Sequence, residues 1–279
     1  MRFFLFLMFL FGCGQNTSTS NLNSQQYRTR YPIVFLNGAI PTNELAANGV
    51  IAFLRSRGYD AYTTFSDGAT PLHHRANQLR SQIEKIREEH GYEKVNLLGY
   101  SMGGLDGRYL ISILKYGEHV ASLSTLGTPH HGTPVADLVL GNPLTDGGLD
   151  AKTIDKLKEI IKNFFGAAHD LSVQYVNGEF NKTALDDPNV FYQSVAASTS
   201  LGGLNKNNVN PLFILTYEYL KHKIGNNDGL VPTDSAKWGI ATEVQADHFD
   251  LVGIPYGITS FPYLGILAQI GEELAKRGL

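Results

Sequence analysis

Apolar and polar positions alternate along this chain in two rhythms, one of strands and one of helices. Pro32 to Leu36 is a continuous apolar run ending at Asn37-Gly38, as expected of a strand buried on both faces. Asn43 to Arg57 then carries Leu45, Val50, Phe53 and Leu54 at helical spacing, Tyr59 to Phe65 is strand-like, and Ala76 to His90 is a polar amphipathic helix. Lys94 to Leu98 is a second short buried strand, Gly103 to Tyr116 places Leu105, Tyr109, Ile113 and Tyr116 at helical spacing, and Val120 to Leu126 is a further strand. This alternation implies right-handed crossovers and a doubly wound, mostly parallel α/β sheet.

From Gly127-Thr128-Pro129-His130-His131-Gly132-Thr133 to about Asp187 the rhythm changes to loops and one marked helix. In that helix Ile154, Leu157, Ile160, Ile161, Phe164 and Phe165 form an apolar stripe opposite Asp155, Lys156, Lys158, Glu159 and Lys162. The segment from about 134 to 180 reads as a helical insertion above the sheet. Its stripe suits a mobile lid that turns toward lipid, or equally a surface helix packed permanently on the core. Periodicity does not separate the two, and no internal repeat is present.

The amino terminus has a different character. Met1-Arg2 gives a positive start, Phe3 to Phe11 is uninterrupted apolar sequence, and Gly12-Cys13 follows, so residues 1–12 read as a signal peptide. That run is too short to span a bilayer, which takes about 20 apolar residues. Leu10-Phe11-Gly12-Cys13 resembles a bacterial lipobox, in which the cysteine is acylated, and residues 13–30 then form a flexible tether rich in Asn, Ser, Thr and Gln. The expected location is outside the cytoplasm, membrane-tethered through acylated Cys13 and by resemblance to lipoproteins in the outer membrane; a cleaved secretory signal with an incidental cysteine is the other reading. With 279 residues, 43% hydrophobic and 18% charged, the chain can bury one large core, so residues 31–279 are expected to form a single domain and a monomer. A net charge of −3 without a basic stripe argues against nucleic acid as a partner.

The chemistry begins at Gly99-Tyr100-Ser101-Met102-Gly103, between the predicted strand and helix. The bare G-x-S-x-G pattern arises by chance in roughly one chain in ten of this length, but a strand before it and a helix after it make it a nucleophile elbow. A serine needs a base and an orienting acid. Asn226-Asn227-Asp228-Gly229 puts a carboxylate on a turn, and Ala246-Asp247-His248-Phe249-Asp250 puts an imidazole further on, so Ser101, Asp228 and His248 follow in the chain order of the α/β hydrolases. His130 and His131 are rival bases, and Asp247 and Asp250 are rival acids. The oxyanion donors are expected to be the backbone N–H groups of Met102 and Ala39, with Gly38 letting the loop approach the serine.

These residues together resemble the bacterial true lipases of the α/β-hydrolase superfamily. The resemblance runs from Tyr31 to the carboxyl terminus, through Tyr31-Pro32-Ile33-Val34, Val95 to Gly104, Gly127 to Gly132, Asn227 to Val231 and His248-Phe249-Asp250. It implies an acylglycerol lipase working through an acyl-enzyme on the triad Ser101, Asp228 and His248, with a lipid or ester substrate, no required cofactor and a lid at about 134–180. An esterase for soluble esters, a polyester depolymerase and a silent lipid-binding lipoprotein are the alternatives. The resemblance also implies a structural calcium held by Asp250 and the carbonyls of Ile254 and Ile258. The family's second calcium acid falls in 205–210, where no carboxylate stands and Asn207, Asn208 or Asn210 could donate a neutral oxygen, so weak calcium or none is expected. The disulfide of many relatives is impossible, since Cys13 is the only cysteine. Asn37 and Tyr100 stand where the family usually has His, and Asp106 stands where a small or apolar residue is usual; Arg108, a polar pocket or solvent is expected to satisfy it.

Overall fold

The computed structural model of the chain describes residues 28–38, 43–141, 150–162, 167–201, 208–254 and 261–279. Residues 1–12, expected to be a signal peptide, Cys13 and most of the expected tether lie outside the described residues.

Strands β1 (Ile33–Leu36), β2 (Ala61–Thr64), β3 (Val95–Tyr100), β4 (Val120–Leu126), β5 (Phe191–Ser198) and β6 (Ile240–Gln245) form one sheet in the order β2-β1-β3-β4-β5-β6. Every neighbouring pair is parallel, as the strand–helix alternation predicts. Side chains alternate across the central strands. Ile33, Phe35, Leu98 and Tyr100 point into one apolar layer, shared with helix α1 (Asn43–Ser56), while Val34, Leu36, Val95 and Leu97 point into the other. Helices α2 (Leu72–His90) and α3 (Met102–Ser112) close that second layer with Leu79, Ile83, Leu110 and Ile111. Helix α2 begins one turn before the predicted Ala76, because Leu72 extends the buried row of Ala76, Leu79 and Ile83 beyond the polar pair His73-His74.

After β4 the chain leaves the sheet. The predicted single helix, α5 (Ala151–Lys162), is accompanied by several short ones: α4 (Pro134–Val139), α6 (Ala168–Leu171), α7 (Val173–Tyr175) and α8 (Asn181–Thr183), with a π turn at Val176–Phe180. Thr133 caps α4 by accepting the Val135 N–H at 3.3 Å, and Pro134 occupies the first helical position, where its missing N–H does no harm. Strands β5 and β6 and the helices α9 (Ile214–Lys223) and α10 (Tyr263–Lys276) complete the domain and were not predicted. In β6 only Val244 is partly covered; the strand is an exposed edge and lacks the apolar run that marks β1.

Chain direction places the site. From β1 the chain winds outward to β2, then returns to add β3 on the other side of β1. The carboxyl ends of β1 and β3 therefore flank the crevice where loops diverge, which is where ligands bind in open α/β sheets.

Candidate active site

Ser101 follows β3 directly and stands at φ 53°, ψ −124°, a region a serine occupies only when its surroundings force it. The surroundings are backbone. A Cβ on Gly99 would lie 2.7 Å from the backbone of Gly104, and one on Gly103 would strike the carbonyl of Leu36 and lie 2.7 Å from that of Asn37. Strand β3, helix α3 and the end of β1 can thus meet only without side chains at these positions. The Ser101 N–H donates to the Leu126 carbonyl at 2.8 Å, and the Thr128 hydroxyl donates to the Ser101 carbonyl at 2.7 Å. Only the side chain of Ser101 is left to move.

Its Oγ lies 2.9 Å from His248 Nε2, and His248 Nδ1 lies 2.7 Å from Asp228 Oδ2. Asp228 and His248 are buried, at 1% exposure each. The other carboxylate oxygen of Asp228 accepts the N–H groups of Leu230 at 2.9 Å and Val231 at 2.7 Å, so the turn that carries the acid also aims it. Gly229 makes that turn at φ 98°, and Asn227 accepts its N–H at 2.9 Å. The His248 N–H donates to the Asp228 carbonyl at 2.9 Å. With Nδ1–H held by a carboxylate, Nε2 is left as the acceptor facing the serine hydroxyl. Such an arrangement can remove a proton from Oγ and return it to a leaving group.

The rivals are engaged elsewhere. His130 is fully buried, with Nε2 3.0 Å from Thr125 Oγ1 and its ring stacked on Trp238 at 5.2 Å. Burial, then the Arg108 charge, pushes its pKa well below the usual 6.5, so it stays neutral. His131 Nδ1 meets Asn177 Oδ1 at 3.1 Å. Asp247 and Asp250 cap each other: Asp247 Oδ1 accepts the Asp250 N–H at 2.9 Å, and Asp250 Oδ2 accepts the Asp247 N–H at 3.0 Å.

Of the two expected oxyanion donors, Met102 is the first residue of α3, where backbone N–H groups have no partner within the helix and the helix dipole favours negative charge. Ala39 lies outside the described residues. Gly38 just before it is buried so close that a Cβ there would lie 3.0 Å from the Cβ of Ser101. The chain just after β1 therefore reaches the serine at Gly38.

The calcium ligands are placed only in part. Asp250 and Ile254 bracket the turn after His248, while Ile258 and Asn207 lie outside the described residues. Asp247 Oδ2 accepts the Asn210 N–H at 2.8 Å, and Asn210 Oδ1 accepts the Leu212 N–H at 3.0 Å, so the loops are joined by their own N–H groups. Among the described residues no group of three or more His, Cys, Asp or Glu is arranged for a metal. Asp250 is the only carboxylate among the residues expected to hold the ion, and calcium affinity follows ligand charge.

Asp106 is paired, but not with Arg108. Arg75 of α2 reaches it, Nε to Oδ1 at 3.0 Å, and the same guanidinium holds Asp170 of α6 at 3.2 Å. Arg108 instead lies 3.7 Å over the Trp238 ring and 5.0 Å over that of Phe180, and donates to Asn181 and the Ala184 carbonyl. Burial lowers its pKa to about 10. Two buried arginines thus fasten 168–184 to α2 and α3. Burial raises Asp106 from 3.8 to about 7 against the pull of Arg75, and its Oδ2 has no hydrogen-bond partner among the described residues. A raised carboxyl favours the folded state most below about pH 4 and loses that contribution as pH rises through about 7, by at most about 1.4 kcal/mol per unit. Thermal melts should therefore show Tm falling from pH 5 to pH 8 more steeply in the wild type than in Asp106→Asn. Equal slopes would move the sensitivity to Asp247, which burial and then Asp250 also raise to about 7.

In α5, Leu157 and Ile161 are buried against Val135 and Leu138 of α4 and Tyr219 and Leu220 of α9, with Ile154 at the margin. Phe164, Phe165 and the side chain of Ile160 lie outside the described residues.

A family model described as "alpha/beta hydrolase fold" matches residues 2–146. The chain is similar to triacylglycerol lipase 2 of Saccharomyces cerevisiae, 32% identical over 213 residues that cover 73% of this chain and 61% of that protein. It is also similar to a triacylglycerol lipase of Vibrio cholerae, 36% identical over 130 residues, 45% of this chain and 41% of that protein. The chain thus spans about half the length of these curated relatives. Among solved structures, a lipase of Bacillus licheniformis in its mature form superposes with TM-score 0.63 at 25% identity, covering 85% of this chain and 91% of that one. A metagenomic carboxyl esterase superposes with TM-score 0.69 at 16% identity over 90% and 76% of the two chains, a likeness of fold.

Proposed function

The chain belongs to the alpha/beta hydrolase fold family, and from that premise we propose that it is a serine ester hydrolase that cleaves acylglycerols through an acyl-enzyme. The observation that carries this reading is the unbroken contact from Asp228 through His248 to Ser101 on a strained elbow. In the proposed reaction Ser101 Oγ attacks the ester carbonyl carbon while His248 Nε2 takes its proton. The tetrahedral oxyanion is held by the N–H groups of Met102 and Ala39, and Asp228 stabilises the imidazolium. His248 then protonates the leaving alcohol, Ser101 keeps the acyl group, and a water activated by His248 releases the acid. Acylglycerol as substrate is supported by the names of the relatives in yeast and Vibrio.

We carry three further expectations as part of this proposal: export by the signal peptide 1–12, membrane attachment through acylated Cys13, and a lid at about 134–180. A second reading, an esterase for soluble esters, is favoured by the packing of α5, whose described apolar residues face α4 and α9. Hydrolysis of a long-chain triacylglycerol and of a short soluble ester, each followed across its solubility limit, decides between them. A rate that jumps once the triacylglycerol forms an emulsion supports the lipase; turnover of the soluble ester alone supports the esterase. In the same assay Leu157→Glu with Ile161→Glu should depress emulsion hydrolysis selectively if α5 is a lid. Equal losses on both substrates, with a lowered Tm, would make it a fixed part of the core.

A further inference from the structure

Tyr100, the residue before the serine, ends β3 with its side chain pointing into the layer beneath the histidine loop. It is 1% exposed, and its hydroxyl donates to the main-chain carbonyl of His248 at 3.0 Å. Its ring lies 5.1 Å from the imidazole, tilted by 35°. His248 is thereby held at every polar group it has: its N–H by the Asp228 carbonyl, its carbonyl by Tyr100, Nδ1 by Asp228 and Nε2 by Ser101. Two of these four partners are consecutive residues of one strand end.

We propose that Tyr100 is a positioning residue for the base, its hydroxyl fixing the distance between His248 Nε2 and Ser101 Oγ by tying the histidine backbone to the strand that carries the nucleophile. The tie closes a ring. Serine side chain, imidazole, histidine main chain and tyrosine side chain return to adjacent residues, so the loop carrying His248 cannot drift without breaking a buried hydrogen bond. Loss of one partner would leave the carbonyl buried and unsatisfied, and the base free to move. A displacement of about 1 Å at a reacting centre can cost two orders of magnitude in rate. Burial, then Asp228, Asp247 and Asp250, keeps the phenol well above its usual pKa of 10, so the hydroxyl remains a donor throughout the working range.

This inference rests on Ser101 and His248 acting as nucleophile and base, and the test keeps the two apart. Tyr100→Phe preserves the ring and removes the donor. With active sites titrated by a fluorophosphonate, its kcat on a soluble ester should fall about tenfold at unchanged KM. The rate constant for fluorophosphonate labelling of Ser101 should fall in parallel. Tyr116→Phe, which removes a hydroxyl that Arg87 reaches at 3.0 Å away from the site, is the control and should turn over as the wild type does. Equal turnover per titrated site in Tyr100→Phe and wild type would overturn the inference. So would a Tyr100→Phe protein that fails to fold while Tyr116→Phe folds, because the hydroxyl would then be holding the fold and not the base. A wild type that the fluorophosphonate does not label at Ser101 would instead overturn the functional reading itself.

Discussion

Ser101→Ala is expected to lower kcat on every ester the wild type cleaves by about 10⁵- to 10⁶-fold while KM changes little. The size follows from what the hydroxyl alone supplies. Without Oγ no acyl-enzyme forms, and His248 can at best activate a water that the site is not built to hold in line. The Met102 N–H and the binding surface remain, so a residual acceleration of about 10³ to 10⁴ over water should persist. The fold should be unaffected, because alanine keeps the Cβ and the Ser101 main-chain bonds to Leu126 and Thr128 do not involve the side chain. Initial rates on a soluble ester, with circular dichroism as the check on folding, measure this. A loss below about a hundredfold in well-folded protein would remove Ser101 from the nucleophile's role.

The elbow was legible because its constraints are local. Gly99, Gly103 and the apolar run before them are close neighbours in sequence, and the close approach that demands glycine happens where they stand. The central strands were legible for a related reason. β1 and β3 are buried on both faces and read as apolar runs interrupted only by Asn96, and β4 matches its predicted ends at Val120 and Leu126. At the exposed edge, Ile240 to Gln245 carries Thr, Glu and Gln that face water, so β6 gives no such run. The site was legible as a set of residues in order, while its support was not.

Asp106 shows why. Arg108 was the nearest cation in sequence, yet residues two apart on a helix do not face each other. The partner turned out to be Arg75, from a different helix, and its second carboxylate comes from Asp170 in the insertion. Such pairs are set by how elements pack, and nothing in the spacing of a single element announces them. The same holds for Arg108 between Phe180 and Trp238, and for Tyr100 under His248. Each ties the elbow or its helix to a segment that arrives much later in the chain. The proposed chemistry is thus written in short motifs, and the geometry that would support it is written in long-range contacts around them.

His248→Ala should match Ser101→Ala in size, and the double variant should be no worse than either alone. A triad acts as a unit: once the base is gone the serine hydroxyl keeps its proton and is nearly inert, and once the serine is gone the base has nothing to activate. Asp228→Ala should cost less, about 10⁴-fold, because Nε2 can still accept a proton in the fraction of molecules with the right tautomer and ring orientation. That variant should also loosen the acid turn, since Asp228 Oδ1 holds the N–H groups of Leu230 and Val231, so a lowered Tm is expected beside the lowered rate. His248→Ala removes no such backbone support, because the histidine main chain keeps its bonds to the Asp228 carbonyl and the Tyr100 hydroxyl. Rate and stability should therefore separate in the histidine variant and fall together in the aspartate variant. If His248→Ala retained activity within a hundredfold of wild type, the proton would have to leave Ser101 by another route, and no rival histidine described above lies in contact with its Oγ.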